Sequence, residues 1–510
     1  MPMIHLTKFL IPSLLAAFVV SSCQQPTEDD QIQSADKGLE LLKDAETKPM
    51  NVVFILSDDH RYDFMGFTGK VPFLKTPHMD KMARQGTHIQ NAFVTTSLCS
   101  PSRASILTGQ LSHRHQVIDN QSAVPDTSVF FPQYLQKAGY ETSFFGKWHM
   151  GEHHANPRRG FDHWVSFKGQ GVYYNPVLNV DGKEEVYEDS TYITDLLTSK
   201  AIKWLENRKK DKPFFMYLSH KGVHSEFAPA RRHKNVYEGE PLQYPPTMSP
   251  ENAGAKGYNY EDLPEWVKKQ RYSWHGVDYM YHGAVTFDEF YQRYTETLLS
   301  VDESIGQVLE YLEQNGLLEN TLVFYMGDNG FSFGEHGLID KRHAYEESMR
   351  VPLLVYGGNN VLKKDSVGQL IQNIDIAPTI LSLAGLDKPV NMDGQSFLPL
   401  LKGENTAWRD RIYYEYFWER PFPQTPTVHA VRTDKYKYIR YYGIWDINEL
   451  YDLENDPMEM NNLIRSQEHQ AVAKALRDDL FTWLKETGGM QIPLKEDRGA
   501  RFDHGYQKTY

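Results

Sequence analysis

Residues 51–60 read NVVFILSDDH: a short, uninterrupted apolar run, then two adjacent carboxylates and a histidine. A run of this length, rich in β-branched and aromatic residues, suits a strand covered on both faces and is too short for a globular helix. Three further stretches repeat the design. ETSFF (141–145) leads into GKWH, with Lys147 and His149. KPFFMYLS (212–219) leads to His220 and His224, and TLVFYMG (321–327) to Asp328 and Asn329. Each run ends in groups that bind cations or move protons. In a parallel α/β sheet the carboxyl ends of the strands share one edge, where ligands bind. Polar residues hundreds of positions apart are therefore expected to meet.

Helical patterns separate these runs: HMDKMARQG (78–86), TSKAIKWLENRKK (198–210) and a longer one over 290–316 that ends at a glycine C-cap. From about Trp408 the texture changes. RIYYEYFW, VHAVRTDKYKYIRYYG and ELYDL suit an antiparallel meander, and residues 468–488 a helix packed on it. The predicted fold class is α/β: a large mixed, mostly parallel sheet flanked by helices, with a smaller C-terminal α+β subdomain carrying an antiparallel sheet. The expected boundaries are 50–405 for the large N-terminal domain, 406–490 for the C-terminal subdomain and 491–510 for a tail.

The 510 residues are 40% hydrophobic, enough for a sizeable core, and carry a formal charge of −13. Nucleic-acid binding needs a basic footprint, so no nucleic-acid partner is expected. An anionic substrate has to be drawn by a local positive pocket instead. Near the N-terminus, Lys8 precedes FLIPSLLAAFVV (9–20), an apolar stretch too short to span a bilayer. VSSC, ending at Cys23, resembles a bacterial lipobox. Residues 1–22 are therefore expected to be a lipoprotein signal peptide, Cys23 to carry lipid, and the polar, acidic residues 23–49 to tether the protein to a membrane. This implies an exported bacterial lipoprotein at the outer membrane, cell surface or periplasm. TEDD (27–30) resembles the acidic stretch that sends some lipoproteins to the surface.

The chain has two cysteines, and lipidation of Cys23 leaves Cys99 without a partner. Cys99 opens CSPSR (99–103), where Pro101 suits a first helical turn and Ser100 a cap. Asp58, Asp59, Asp328 and Asn329 offer hard oxygen ligands, a set for Ca²⁺ or Mg²⁺ and not for zinc.

CSPSR with its flanking SRASILTG, DD after the first strand, GKWH, GDNG and LYDLENDPMEMNNL (450–463) resemble, in order, the motifs of the formylglycine (type I) sulfatases of the alkaline-phosphatase-like superfamily, over roughly residues 51–488. The resemblance implies that a formylglycine-generating maturation enzyme converts Cys99 to 3-oxoalanine. The hydrated aldehyde would attack sulfur with one hydroxyl. The second would then expel sulfate, so that no water attacks a hindered anionic centre. It also implies a metal shell of Asp58, Asp59, Cys99 (as formylglycine), Asp328 and Asn329. Lys147 and Lys341 match the lysines that clamp sulfate oxygens, and Arg103 the group that holds the formylglycine hydroxyl. His149 matches the residue that takes the proton from the second hydroxyl, and His224 the one that, with Lys341, protonates the leaving oxygen. Val223 stands where proline usually precedes that histidine, which leaves His220 as a rival. His115 resembles a histidine near the aldehyde. Trp274, His275, His429 and Arg432 are expected to meet the substrate. The implied activity is sulfuric ester hydrolysis on a sulfated polysaccharide or its oligosaccharides, of the ulvan or glycosaminoglycan type. Two other readings are a phosphonate or phosphate ester hydrolase of the same superfamily and a non-catalytic glycan-binding lipoprotein.

Overall fold

In the computed structural model β1 (Asn51–Ser57) is buried along its whole length. The structure describes residues 49–494 apart from 152–153, 253–256 and 360. The signal segment, Cys23, most of the tether and the tail beyond 494 lie outside the described residues. Alternation along β1 sends Val52, Phe54 and Leu56 into the core on one face and Val53 and Ile55 into the core on the other. Both faces are covered, which is why the run is apolar without a break.

The following strands are β2 (Thr87–Phe93), β3 (Glu141–Lys147), β4 (His163–Phe167), β5 (Val177–Val180), β6 (Lys183–Val186), β7 (Phe214–Ser219) and β8 (Thr321–Gly327). A two-stranded hairpin, β9 (Ser332–Phe333) and β10 (Ile339–Asp340), precedes β11 (Leu353–Gly357) and β12 (Ser366–Gln372). The large sheet runs β12-β2-β11-β8-β1-β7-β3-β4-β5-β6. Its centre is parallel, and β11 runs antiparallel to β2 and β8.

The central register positions the site. Leu56 pairs with Ser219, Ser57 with Gly327, and Gly146 with Ser219. Four strands thus stop at one level, and the residues after them emerge together. Gly146 is required here: its φ is +110°, and a Cβ on it would stand 1.8 Å from the Ser219 carbonyl oxygen.

Helices Ile193–Asn207 and Phe287–Gln314 pack against each other, and the 287–314 helix also against Pro77–Gln85. Thr286 caps the long helix by accepting from the Glu289 amide. The strands β13 (Arg411–Tyr416), β14 (Thr427–Thr433), β15 (Tyr436–Tyr442) and β16 (Glu449–Asp452) form an antiparallel sheet in chain order. Helix Gln470–Thr487 covers it, burying Leu476, Leu480 and Leu484 against Val431, Tyr438 and Leu450. Among the described residues no helix is long and apolar enough to cross a membrane.

Phe144 shows how tightly the core is built. Its ring stacks on Trp164 at 4.6 Å and meets Tyr217 edge-on at 5.2 Å. Phe144→Ala removes both contacts and leaves a cavity, so the unfolding free energy is expected to fall by about 3–5 kcal/mol. Urea titration with an unchanged slope and a lower midpoint checks this.

Candidate active site

Helix Cys99–Thr108 is buried at all of its positions and begins where β1, β7 and β8 end. Its cap differs from the sequence expectation. Leu98 occupies the N-cap position and no side chain caps the helix, so Ser100 is not the cap. The Ser100 hydroxyl instead turns to His149: it bonds the His149 carbonyl and lies 3.3 Å from Nδ1 of the ring. The Ser100 amide is satisfied by Asn120 at 3.0 Å.

The thiol of Cys99 points at the first carboxylates after β1, 3.4 Å from Asp58 Oδ1. Lys341 Nζ stands 3.3 Å from the sulfur and ion-pairs with Asp59. Lys341 reaches this place because it follows β10 directly, at the end of the short hairpin. Lys147, the last residue of β3, ion-pairs with Asp58 and bonds Gln170. Arg103, one turn along the helix from Cys99, grips Asp328 through Nε at 2.9 Å and Nη2 at 2.8 Å. Its Nη1 donates to the Ser219 hydroxyl at 2.6 Å and the Lys147 carbonyl at 2.8 Å. Arginine suits this position because its planar fork addresses three strand ends at once. His224 Nε2 lies 3.9 Å from Asp59 Oδ2, and its side chain is 15% exposed. It is the most open of these groups.

Two backbone features aim these side chains. Asp59 has φ +55° and His149 φ +60°, in the left-handed region that non-glycine residues enter at a cost. Asp59 is held there by its amide, which donates to Asp328 Oδ1 at 3.0 Å, and by its carbonyl, which accepts from Tyr294 at 2.7 Å.

The carboxyl oxygens of Asp58, Asp59 and Asp328 lie within 4.8 Å of one another. Burial alone would raise the pKa of Asp58, but the charges of Lys147, Arg103 and Lys341 hold it well below the usual range. Burial raises Asp59 against the pull of Lys341. Burial and the charge of Asp58 push Asp328 up to about 7. Burial, and again Asp58, push the Cys99 thiol far up, so it stays protonated at neutral pH and is a poor nucleophile as it stands. Asn329 donates to Asp59 Oδ1 at 2.7 Å, and its own Oδ1 is buried without a partner. A cluster of three carboxylates with an orphaned amide oxygen fits a hard divalent cation.

The other expected site residues fall into two groups. Trp274 and His275 lie beside the site. His275 Nε2 is 3.0 Å from Asp340, the neighbour of Lys341, and both rings stack on Phe422. The remaining four lie deeper. His220 Nε2 meets Ser304 on the 287–314 helix at 3.0 Å, and burial depresses its pKa to about 3. It faces the helix layer and is corrected here as a rival to His224. His115 bonds Ser105 at 3.0 Å and accepts from the Val117 amide at 3.1 Å, one layer behind the helix that carries Cys99. Arg432 is also corrected: Glu346 occupies it at 3.0 and 3.3 Å, and it lies over Phe93. His429 is enclosed in the antiparallel sheet between Phe417 and Tyr442, not on a substrate surface. The two lie on opposite faces of β14, and both faces are covered: Arg432 shares the face of Val428 and Ala430, and His429 that of Val431, which the C-terminal helix covers.

Gln170 and Ser219 escaped the sequence reading. Ser219 is visible only as a strand end, and Gln170 sits in a loop after β4 with no local signal.

A sulfatase family model matches residues 50–386, and a model described as the C-terminal part of N-sulphoglucosamine sulphohydrolase matches residues 334–486. An N-acetylglucosamine-6-O-sulfatase of Bacteroides thetaiotaomicron is 33% identical over 526 residues, spanning 93% of this chain and 89% of its own. An ulvan-active sulfatase of Formosa agariphila is 27% identical across 93% of this chain and 87% of its own. A protein solved in complex with its substrate D-glucosamine-2-N,6-O-disulfate shares 32% identity with a TM-score of 0.76, covering 88% of this chain and 100% of that one. The match of the family model to the part of the chain that builds this strand-edge cluster, and that of a relative to nearly all of it, establish that the chain belongs to the sulfatase family.

Proposed function

We propose that this enzyme removes sulfate from a sulfated carbohydrate, with 6-O-sulfated glucosamine units of glycosaminoglycan fragments as the first candidates and ulvan-type oligosaccharides next. The observation that carries the reading is the cluster around Cys99: three carboxylates, two lysines and an arginine within a few bonds of one buried sulfur. The substrate class is carried over from the relatives that act on N-acetylglucosamine-6-sulfate and ulvan.

In this reading Cys99 is converted to formylglycine, whose hydrate supplies a geminal hydroxyl nucleophile. Asp58, Asp59, Asp328 and Asn329 would hold Ca²⁺ or Mg²⁺. The cation would neutralise charge on the sulfuryl oxygens. Lys147 and Lys341 leave their aspartate partners to receive the sulfate oxygens. Arg103, locked by Asp328 and Ser219, orients the side chain at position 99. His149, braced by Ser100, takes the proton from the second hydroxyl. His224, on the open side, gives a proton to the departing sugar oxygen. Trp274 and His275 offer a ring face to the sugar. The protein is exported as a lipoprotein anchored through Cys23 and meets extracellular or periplasmic polymers. The maturation enzyme acts before export.

Sugar alkoxides leave poorly, so general acid help matters more for them than for aryl oxides. His224→Ala is expected to lower kcat for sugar desulfation by roughly a hundredfold or more, and aryl sulfate turnover far less. Equal losses on both substrates would remove His224 as the acid. A panel of sulfated glycans, aryl sulfates, phosphonate esters and phosphate esters tests the activity itself. Turnover of phosphonate or phosphate esters with no sulfate release from any glycan would overturn the assignment.

A further inference from the structure

Lys221 lies between the end of β7 and His224 and belongs to none of the ion pairs around Cys99. It is only 2% exposed. Lys147 and Lys341 are each paired with an aspartate. Among the described residues, by contrast, no carboxylate stands within ion-pairing distance of the Lys221 ammonium. What holds it is a ring: Nζ lies 4.7 Å from the centroid of Tyr173. The Tyr173 hydroxyl donates to the His224 carbonyl at 2.7 Å, and the His224 amide donates to the Lys221 carbonyl at 2.9 Å. One aromatic side chain thus braces a buried ammonium and the open histidine of the site. A buried, unpaired cation is costly and persists where something later compensates it.

The surroundings say what compensates it. The charged groups that act on Lys221 are Lys147, Glu226, Asp58 and Asp59, and the charge of Lys221 acts in turn on His224. Burial, and after it repulsion from Lys147, lower its pKa to about 8. The backbone next to it is bonded to the carboxylate cluster: the Asp58 amide donates to the Gly222 carbonyl at 2.9 Å and the Val223 amide donates to the Asp58 carbonyl at 2.7 Å, so Lys221 stands beside the strand end that carries Asp58 and Asp59.

We propose that Lys221 is a third ammonium of the sulfate pocket, resting on Tyr173 until the sulfate group that is removed arrives to accept its hydrogen bonds. The proposal rests on the sulfatase reading of the site and adds a residue to its anion-binding wall. The charge is left unpaired in the free enzyme because the anion it serves comes with the substrate.

The test uses inorganic sulfate as probe, with the full-length enzyme and position 99 checked by mass spectrometry. Binding is measured by calorimetry and as product inhibition, between about pH 6 and pH 9. The ammonium is charged below its pKa and neutral above it, so sulfate binding by wild type is expected to weaken as pH rises through about 8. Lys221→Met is expected to bind sulfate about tenfold to a hundredfold more weakly at low pH and to lose that step. Lys221→Arg, charged throughout, is expected to bind at both ends of the range. Should the methionine variant fold poorly, the wild-type step and its removal by arginine still decide the matter. A methionine variant with wild-type sulfate affinity and an unchanged step would overturn the proposal. Calorimetry also separates the two readings. Loss of sulfate binding in Lys221→Met stands even if no glycan is desulfated, whereas wild-type enzyme that neither binds nor releases sulfate would sink the function assignment first.

Discussion

Cys99→Ala is expected to lower kcat for sulfate release by ~10⁴-fold or more, the scale of losing a nucleophile while binding groups remain. The side chain is small, and the neighbouring charges keep their own pairs: Lys147 with Asp58, Lys341 with Asp59 and Arg103 with Asp328. Folding is therefore expected to survive. The same position predicts a mass. In active protein the tryptic peptide Gln85–Arg103 is expected to be about 18 Da lighter than its cysteine form, from exchange of SH₂ for O. The buried thiol, pushed far above its usual pKa, gives a physical reason why unmodified cysteine would not serve. Full activity in a preparation that carries only intact thiol would refute the nucleophile.

The second large effect concerns Asp328. Asp328→Asn keeps the shape and one hydrogen-bonding oxygen but removes a charge from the carboxylate cluster. Activity is expected to fall by about a hundredfold to a thousandfold. Arg103 loses its closest ionic partner and keeps Asp58 at 3.7 Å, so a modest loss of stability accompanies the change. A second readout does not depend on turnover. Added Ca²⁺ is expected to raise the Tm of wild type, because a ligand that binds only the folded state stabilises it. In Asp328→Asn that rise is expected to shrink or vanish. Unchanged rates together with an unchanged Ca²⁺ response would show that the cation does not sit on this carboxylate.

Much of this site is legible in the sequence. The runs that became β1, β3, β7 and β8 are apolar because both faces of a central strand are covered, so each announced itself without periodicity. The polar residues at the end of each run were equally plain, since a strand edge that binds ligands needs ionisable groups after the last apolar residue. Asp58, Asp59, Lys147, His149, Asp328 and Asn329 all follow such runs, and the strand register brings those strand ends to one level. The strands toward the two ends of the sheet are harder to read. β5 and β6 are short and partly exposed, and β2 carries polar residues, so none stands out as an apolar run.

The amino-acid order by itself determined the fold class, the strand ends and the pentapeptide around Cys99, because burial on two faces and the needs of a local motif are written over a few adjacent residues. Only the tertiary structure decided between His220 and His224. Both come after β7, yet Ser304 of a helix more than eighty positions away holds the first and leaves the second facing Asp59. Tertiary structure alone also assigned Arg432 to Glu346, turned Ser100 from a cap into a brace for His149, and set Lys221 on Tyr173. Each of these outcomes depends on which partner lies across a packed interface. Such partners are chosen by long-range contacts, and nothing in the neighbouring sequence encodes them.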